Sequence, residues 1–122
     1  SRSDLSALAQ AKAANYCGQA IVIQESGIEI DQINNLFLAG GFANYINIEN
    51  AIEIGFIPNL QEKKITKIGN ASLAGATKML LSIDSRNQLE KTTKNIEHIE
   101  LETIPTFFDF FVDGCQFKKM EI

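Results

Sequence analysis

The stretch Leu36-Phe37-Leu38-Ala39-Gly40-Gly41-Phe42-Ala43-Asn44 limits what this chain can fold into more than any other. Four apolar residues stop at two glycines, just ahead of a helical pattern, and so read as a strand entering a tight loop that opens a helix. Glycine takes positive φ without strain and lets other atoms approach the backbone, while the N–H groups at a helix start can face an anion. On these residues alone two readings stay open, plain turn chemistry and a phosphate-binding turn.

Ahead of this stretch, Leu5, Ala9, Ala13, Tyr16, Ala20 and Ile23 recur at three- and four-residue steps. That spacing predicts one long helix from Asp4 to Ser26, with Ser3 or Asp4 as N-cap and Gly27 just beyond the end. Its alanines and Gly18 make a thin surface suited to lying close against a sheet or another helix. Leu36 to Ala39 is apolar at successive positions, which predicts a strand buried on both sides, as in a parallel sheet. Asn47 is placed to cap a short helix carrying Ile48, Ala51, Ile52 and Gly55 on one side, and Pro58 ends it.

The same order then repeats. Lys64 to Ile68 alternates as a strand, and Gly69-Asn70-Ala71-Ser72-Leu73-Ala74-Gly75-Ala76 opens a helix running towards Ile83. Ser85 to Asn95 reads as a polar helix, Glu97 to Leu101 as an edge strand, and Pro105 to Cys115 as a last helix. Phe107, Phe108, Phe111, Val112 and Cys115 form a stripe expected to close the domain against the sheet, with Phe110 and Phe117 off that face.

Two strand-glycine-helix units predict parallel strands joined by crossovers, hence an α/β, partial parallel-sheet layer fold with helices on both faces. Three strands are few for a free-standing sheet of that kind. Residues 1–122 are therefore expected to form a single domain or the C-terminal portion of a larger one, and an opening Ser1-Arg2-Ser3-Asp4 without methionine fits a piece of a longer parent.

A net charge of −4, with only isolated basic pairs at Lys63-Lys64 and Lys118-Lys119, argues against a nucleic-acid surface. No apolar run approaches the ~20 residues of a membrane helix and no charged-then-apolar leader opens the chain, so no membrane contact and a cytoplasmic location are expected. The only two cysteines, Cys17 and Cys115, lie far apart and read as buried free thiols. His98, the one histidine, sits in an alternating stretch and reads as facing water. The chain has no Walker-type phosphate loop, no GxGxxG, no HExxH and no GxSxG, and its carboxylates are scattered, so no catalytic residue and no metal ligand is assigned.

The two glycine turns, Gly40-Gly41-Phe42-Ala43 and Gly69-Asn70-Ala71-Ser72, would lie at the C-terminal ends of parallel strands, where α/β folds place ligands. Around them, Leu-Ala-Gly-Gly-Phe-Ala-Asn-Tyr-Ile at 38–46, Glu-Asn-Ala-Ile-Glu-Ile-Gly-Phe-Ile-Pro at 49–58 and Ile-Gly-Asn-Ala-Ser-Leu-Ala-Gly-Ala at 68–76 resemble the C-terminal domain of the reductive activators of corrinoid proteins. Gln10-Ala11-Lys12-Ala13-Ala14 shares the resemblance, which fades after Ser85.

The resemblance implies the second half of an actin-like, ribonuclease H-like ATPase domain, of the superfamily that contains actin, sugar kinases and heat-shock chaperones. In that family an iron–sulfur cluster sits in an N-terminal domain, and ATP with magnesium drives electron transfer that restores cobalt(I) in the corrinoid. Carried onto this sequence, Gly40, Gly41, Phe42 and Ala43 approach the phosphates and ribose through backbone atoms, Gln10 and Lys12 face the adenosine, and Asn70 and Ser72 shape the adenine side. The implied partners are the preceding part of the parent chain, a corrinoid protein and a second copy in a homodimer. This piece is not expected to be catalytic alone. The alternative is a binding or assembly module that has kept the fold and lost nucleotide use.

Overall fold

The computed structural model describes residues 1–122 as six helices and two strands: α1 (Arg2–Ser26), β1 (Leu36–Ala39), α2 (Gly41–Tyr45), α3 (Ile48–Glu53), β2 (Ile65–Gly69), α4 (Ala71–Leu81), α5 (Ile83–Thr93) and α6 (Phe107–Gly114). Short 3₁₀ turns fall at Ile30–Gln32, Glu62–Lys64 and Leu101–Thr103. No helix is long and apolar enough to cross a membrane.

Helix α1 starts two residues earlier than the spacing predicts, on a capping box in which the Ser1 hydroxyl accepts from the Asp4 N–H. It ends at Gly27, whose φ of 67° and N–H donation to the Gln24 carbonyl close the last turn. Its buried residues fall in two adjacent rows, Lys12, Tyr16, Ala20, Ile23 and Ala13, Cys17, Ile21. Strands β1 and β2 pair in parallel, with Leu36 opposite Ile65, Phe37 opposite Thr66 and Leu38 opposite Lys67. Ala39 then faces Gly69, so β2 carries one extra residue, Ile68, across an irregularity in the ladder. Helices α2 and α3 supply the crossover, and the Asn47 side chain caps α3 by accepting from the Asn50 N–H at 2.8 Å.

One core cluster fills the space between the sheet and the α3 region: Ala51, Ile52, Ile57, Leu60 and Ile65, with Leu36 and Leu38 packed on it. A second joins Tyr16 and Ala20 of α1 to Met120, with Phe110 against them.

Three expectations are corrected. β1 is not buried on both sides within this chain; Leu36 and Leu38 turn to the core, whereas Phe37 on the opposite face is 60% exposed. Glu97 to Leu101 forms no strand: the ladder stops at two strands, and Leu101 instead begins a short 3₁₀ turn. The last helix closes on α1 rather than on the sheet, and its packed face is rotated from the expected stripe. Phe107, Phe110, Phe111 and Gly114 turn inward at helical spacing, while Phe108 and Val112 are exposed.

Gly114 sets how closely α6 approaches α1. A Cβ built there would lie 2.9 Å from Ala13 Cα and 3.1 Å from Tyr16 Cβ. Gly114→Ala is therefore expected to destabilise the fold by about 2 kcal/mol, the usual scale of overpacking, as measured by urea denaturation. Unchanged stability would show that the helices part without cost.

Candidate functional site

The two glycine turns lie side by side. Gly40 has φ 95° and ψ 165°, a conformation closed to other residues, and its N–H donates to the Gly69 carbonyl at 2.7 Å. Gly69 itself has φ 65°. The ends of both strands are thus tied together where their following helices begin.

The space in front of the turns is open. A Cβ at Gly40, Gly41 or Gly69 would meet nothing within 4 Å. No side chain caps α2, and the leading N–H groups of such a short helix have no acceptor within it. Phe42 projects outward at 73% exposure, and Ala43 turns its methyl into the core. Lys67 braces the far end of the turn, its ammonium donating to the carbonyls of Asn44 at 3.2 Å and Ile46 at 2.6 Å. At the second turn the Asn70 side chain accepts from the Leu73 N–H at 3.0 Å, capping α4, and Ser72 is exposed in the first turn of that helix.

Beside the first turn a cavity of about 420 Å³ opens between α1, α3 and the C-terminal tail. Phe42, Phe56 and Phe117 line it together with Leu8, Lys12 and Asn50. Phe42 meets Phe56 edge to face, with centroids 6.0 Å apart and planes at 68°. A second cavity of about 450 Å³ lies along Ala14, Gly18 and Val22 of α1, bordered by neither glycine turn.

Lys12 is brought to this region, but its charge is already engaged. The residue is 2% exposed, and its ammonium donates to the carbonyls of Ile54 at 2.9 Å and Gln116 at 2.6 Å. It also sits 5.3 Å from the Tyr16 ring centroid and 5.7 Å from that of Phe117. Burial holds its pKa below the ordinary lysine value, partly countered by Cys115. Gln10 faces away, donating to the Ser6 hydroxyl at 3.4 Å, and neither Gln10, Asn70 nor Ser72 borders the cavity. Of the eight residues singled out in the sequence, the geometry joins Gly40 to the Gly69-Asn70 turn and gathers Lys12 and Phe42 around one cavity.

Phe56, Phe117 and Asn50 were not assigned from sequence. The one available signal was that Phe117 lay off the aromatic stripe of the last helix. No three His, Cys, Asp or Glu residues converge as a metal site. Cys17 is buried and donates its thiol to the Phe107 carbonyl at 3.4 Å, and burial raises its pKa; Cys115 is half-buried and also free.

Comparison with known proteins places these turns in a wider setting. The chain is 32% identical over 116 residues to the corrinoid activation enzyme RamQ of Eubacterium limosum, covering 95% of this chain and 20% of that protein. It is 30% identical over 93 residues to a Co(II) methylated amine-specific corrinoid protein reductase of Methanosarcina barkeri, covering 75% of this chain and 17% of the relative. The solved structure of a reductive activator for corrinoid, iron–sulfur protein superposes with a TM-score of 0.83 at 32% identity, over 93% of this chain and 18% of the other. The chain thus spans a fifth or less of the length of these relatives. A family model for the C-terminal domain of RACo, the ASKHA domain, matches residues 1–122, and the chain belongs to that family.

Proposed function

We propose that this chain is the nucleotide-facing C-terminal portion of an ATP-dependent reductive activator that restores cobalt(I) in a corrinoid protein. The observation that carries the reading is the bond from the Gly40 N–H to the Gly69 carbonyl, which brings two glycine turns with open space before their glycines to one place beside an aromatic cavity. In this reading the N–H groups of Gly41, Phe42 and Ala43 face the phosphates, and the positive end of the helix start favours their charge. The base enters the cavity at Phe42, which moves the adenine towards α1 and leaves Asn70 and Ser72 to the ribose or phosphate rim.

ATP with its magnesium suits these turns, whereas an iron–sulfur cluster does not. Two cysteines, one of them buried, are no cluster ligand set, so the electron donor belongs to another domain of the parent. This chain's part is conformational. Its turns bind the nucleotide more tightly in one arrangement of the surrounding lobes than in another, and that difference in affinity is the free energy available to shift the complex with the corrinoid protein. The preceding part of the parent chain, the corrinoid protein, a homodimeric state and a cytoplasmic location belong to the same proposal.

Gly41→Asp tests it. A Cβ added at Gly41 meets nothing within 4 Å and φ there is not positive, so the apo fold should be kept, while a carboxylate among the phosphates should weaken Mg-ATP binding by roughly 100-fold, the equivalent of about 2.7 kcal/mol. Calorimetric titration of the full-length parent with and without the substitution checks this, and unchanged affinity removes the turn from the site.

A second reading, a binding or assembly module without nucleotide use, is favoured by α4, which has no buried residue and exposes Leu73, Leu80 and Leu81. Failure of the full-length parent to bind Mg-ATP at millimolar concentration would support that reading.

A further inference from the structure

We propose that the C-terminal strap, residues 116–120, closes one wall of the base cavity, with Phe117 as the binding residue that stacks on the base. The inference rests on the nucleotide reading above and adds to it a segment that neither glycine turn contains.

The strap is pinned on both sides of Phe117. Before it, the Gln116 carbonyl accepts from the Lys12 ammonium at 2.6 Å. After it, the Lys118 backbone lies so close to Gly55 that a Cβ there would sit 2.2 Å from the Lys118 carbonyl oxygen. Lys119 pairs with Glu53 at 2.8 Å, and Met120, 2% exposed, is locked among Tyr16 and Ala20.

Between these anchors the Phe117 ring stays 42% exposed at the cavity that Phe42 and Phe56 also line. Its backbone is held, yet its ring has open space before it. A flat aromatic ligand is the chemistry that such a wall takes up, because base-on-aromatic stacking needs a presented π-face. The exposed carboxamide of Asn50 on the same cavity suits the amino and ring-nitrogen edge of adenine. Phe42 belongs both to the turn and to the cavity wall, so the cavity opens directly beside the place where the phosphates would sit. Once the base stacks, the strap is held from a further side and its opening becomes rarer.

The test compares Mg-ATP with inorganic tripolyphosphate on the full-length parent protein that contains this chain and on its Phe117→Ala and Phe117→Tyr variants. Phe117→Ala should weaken ATP binding about tenfold, the scale of one lost stacking contact, and leave tripolyphosphate unaffected, whereas Phe117→Tyr keeps the ring and the affinity. In the unaltered protein, ATP but not tripolyphosphate should slow tryptic cleavage after Lys118 and Lys119, a measurement that does not depend on the variants folding. Equal ATP affinity in Phe117→Ala, equal losses in Ala and Tyr, or equal protection by both ligands overturns the strap's role while leaving the turns in place. Absence of ATP binding in the unaltered protein overturns the nucleotide reading itself and the strap's role with it.

Discussion

Replacing Gly55 by alanine is expected to destabilise the protein by about 4 kcal/mol, the largest effect of a methyl group added at any of its glycines. Two penalties coincide there. The backbone has φ 72°, a left-handed conformation that costs a residue with a Cβ about 1–2 kcal/mol. The new methyl would also fall 2.2 Å from the Lys118 carbonyl oxygen, a backbone atom that can yield only by moving the strap, at a further overpacking cost of about 1–3 kcal/mol. Gly27→Ala separates the two. Its φ of 67° is similar but a Cβ there meets nothing within 4 Å, so it should cost only about 1 kcal/mol. Urea denaturation of both variants gives the comparison, and equal losses would show that the strap is not seated on Gly55.

Lys12→Ala is expected to cost about 3 kcal/mol. It removes two charge-assisted hydrogen bonds, leaves the Ile54 and Gln116 carbonyls without their donor, and opens a void where the stem was packed. Relief from burying an ammonium offsets part of this. Lys12→Met, which refills the stem volume but cannot donate, should lose about 1–2 kcal/mol.

The pH dependence carries the same signature. Burial lowers the pKa of Lys12 in the folded chain below the 10.5 it has when unfolded. Between those two values the unfolded chain binds more protons than the folded one, so this residue makes stability rise as pH climbs through that window. Below the window the full desolvation penalty is present. Thermal melts across the alkaline range should show the rise in the wild type and lack it in Lys12→Met; the same rise in both would assign it to another group.

The features that could be read in advance are those set by local chemistry. Gly40 and Gly69 stand where the backbone needs positive φ, Asn47 caps the helix that follows it, and the α1 spacing picks out Ala13, Tyr16, Ala20 and Ile23 among the buried residues, although Leu5 of the same spacing stays exposed. These depend on a few neighbouring residues, and so they are visible in a string of letters. Features set by distant partners are not. A lysine on a helix ordinarily keeps its charge in water; what buries Lys12 is a pair of carbonyls 42 and 104 residues away.

The same distinction explains the elements that came out differently. Alternation made Glu97 to Leu101 look like a strand, but alternation does not by itself bring a segment against a sheet, and here neither open edge of the two-stranded sheet is joined by it. The stripe on the last helix was drawn one position away from Phe110, because its true partner was the small surface of Ala13 on α1 rather than a sheet. Of the candidate site, the turns were legible, and the cavity wall formed by Phe117 was not, since only the return of the tail over Gly55 brings it there.

The extra residue in β2 also acts as a length standard. From Leu36 the first strand reaches its glycine in four steps and from Ile65 the second does the same, yet Ala39 pairs with Gly69, one place beyond simple alignment. That offset lets the Gly40 N–H reach the Gly69 carbonyl. A relative with one more residue inserted between Ile65 and Gly69 would keep every residue of both turns but would have to absorb a second irregularity in the ladder to keep the link between them. Spacing, as much as residue identity, is therefore what a search for working copies of this site should require.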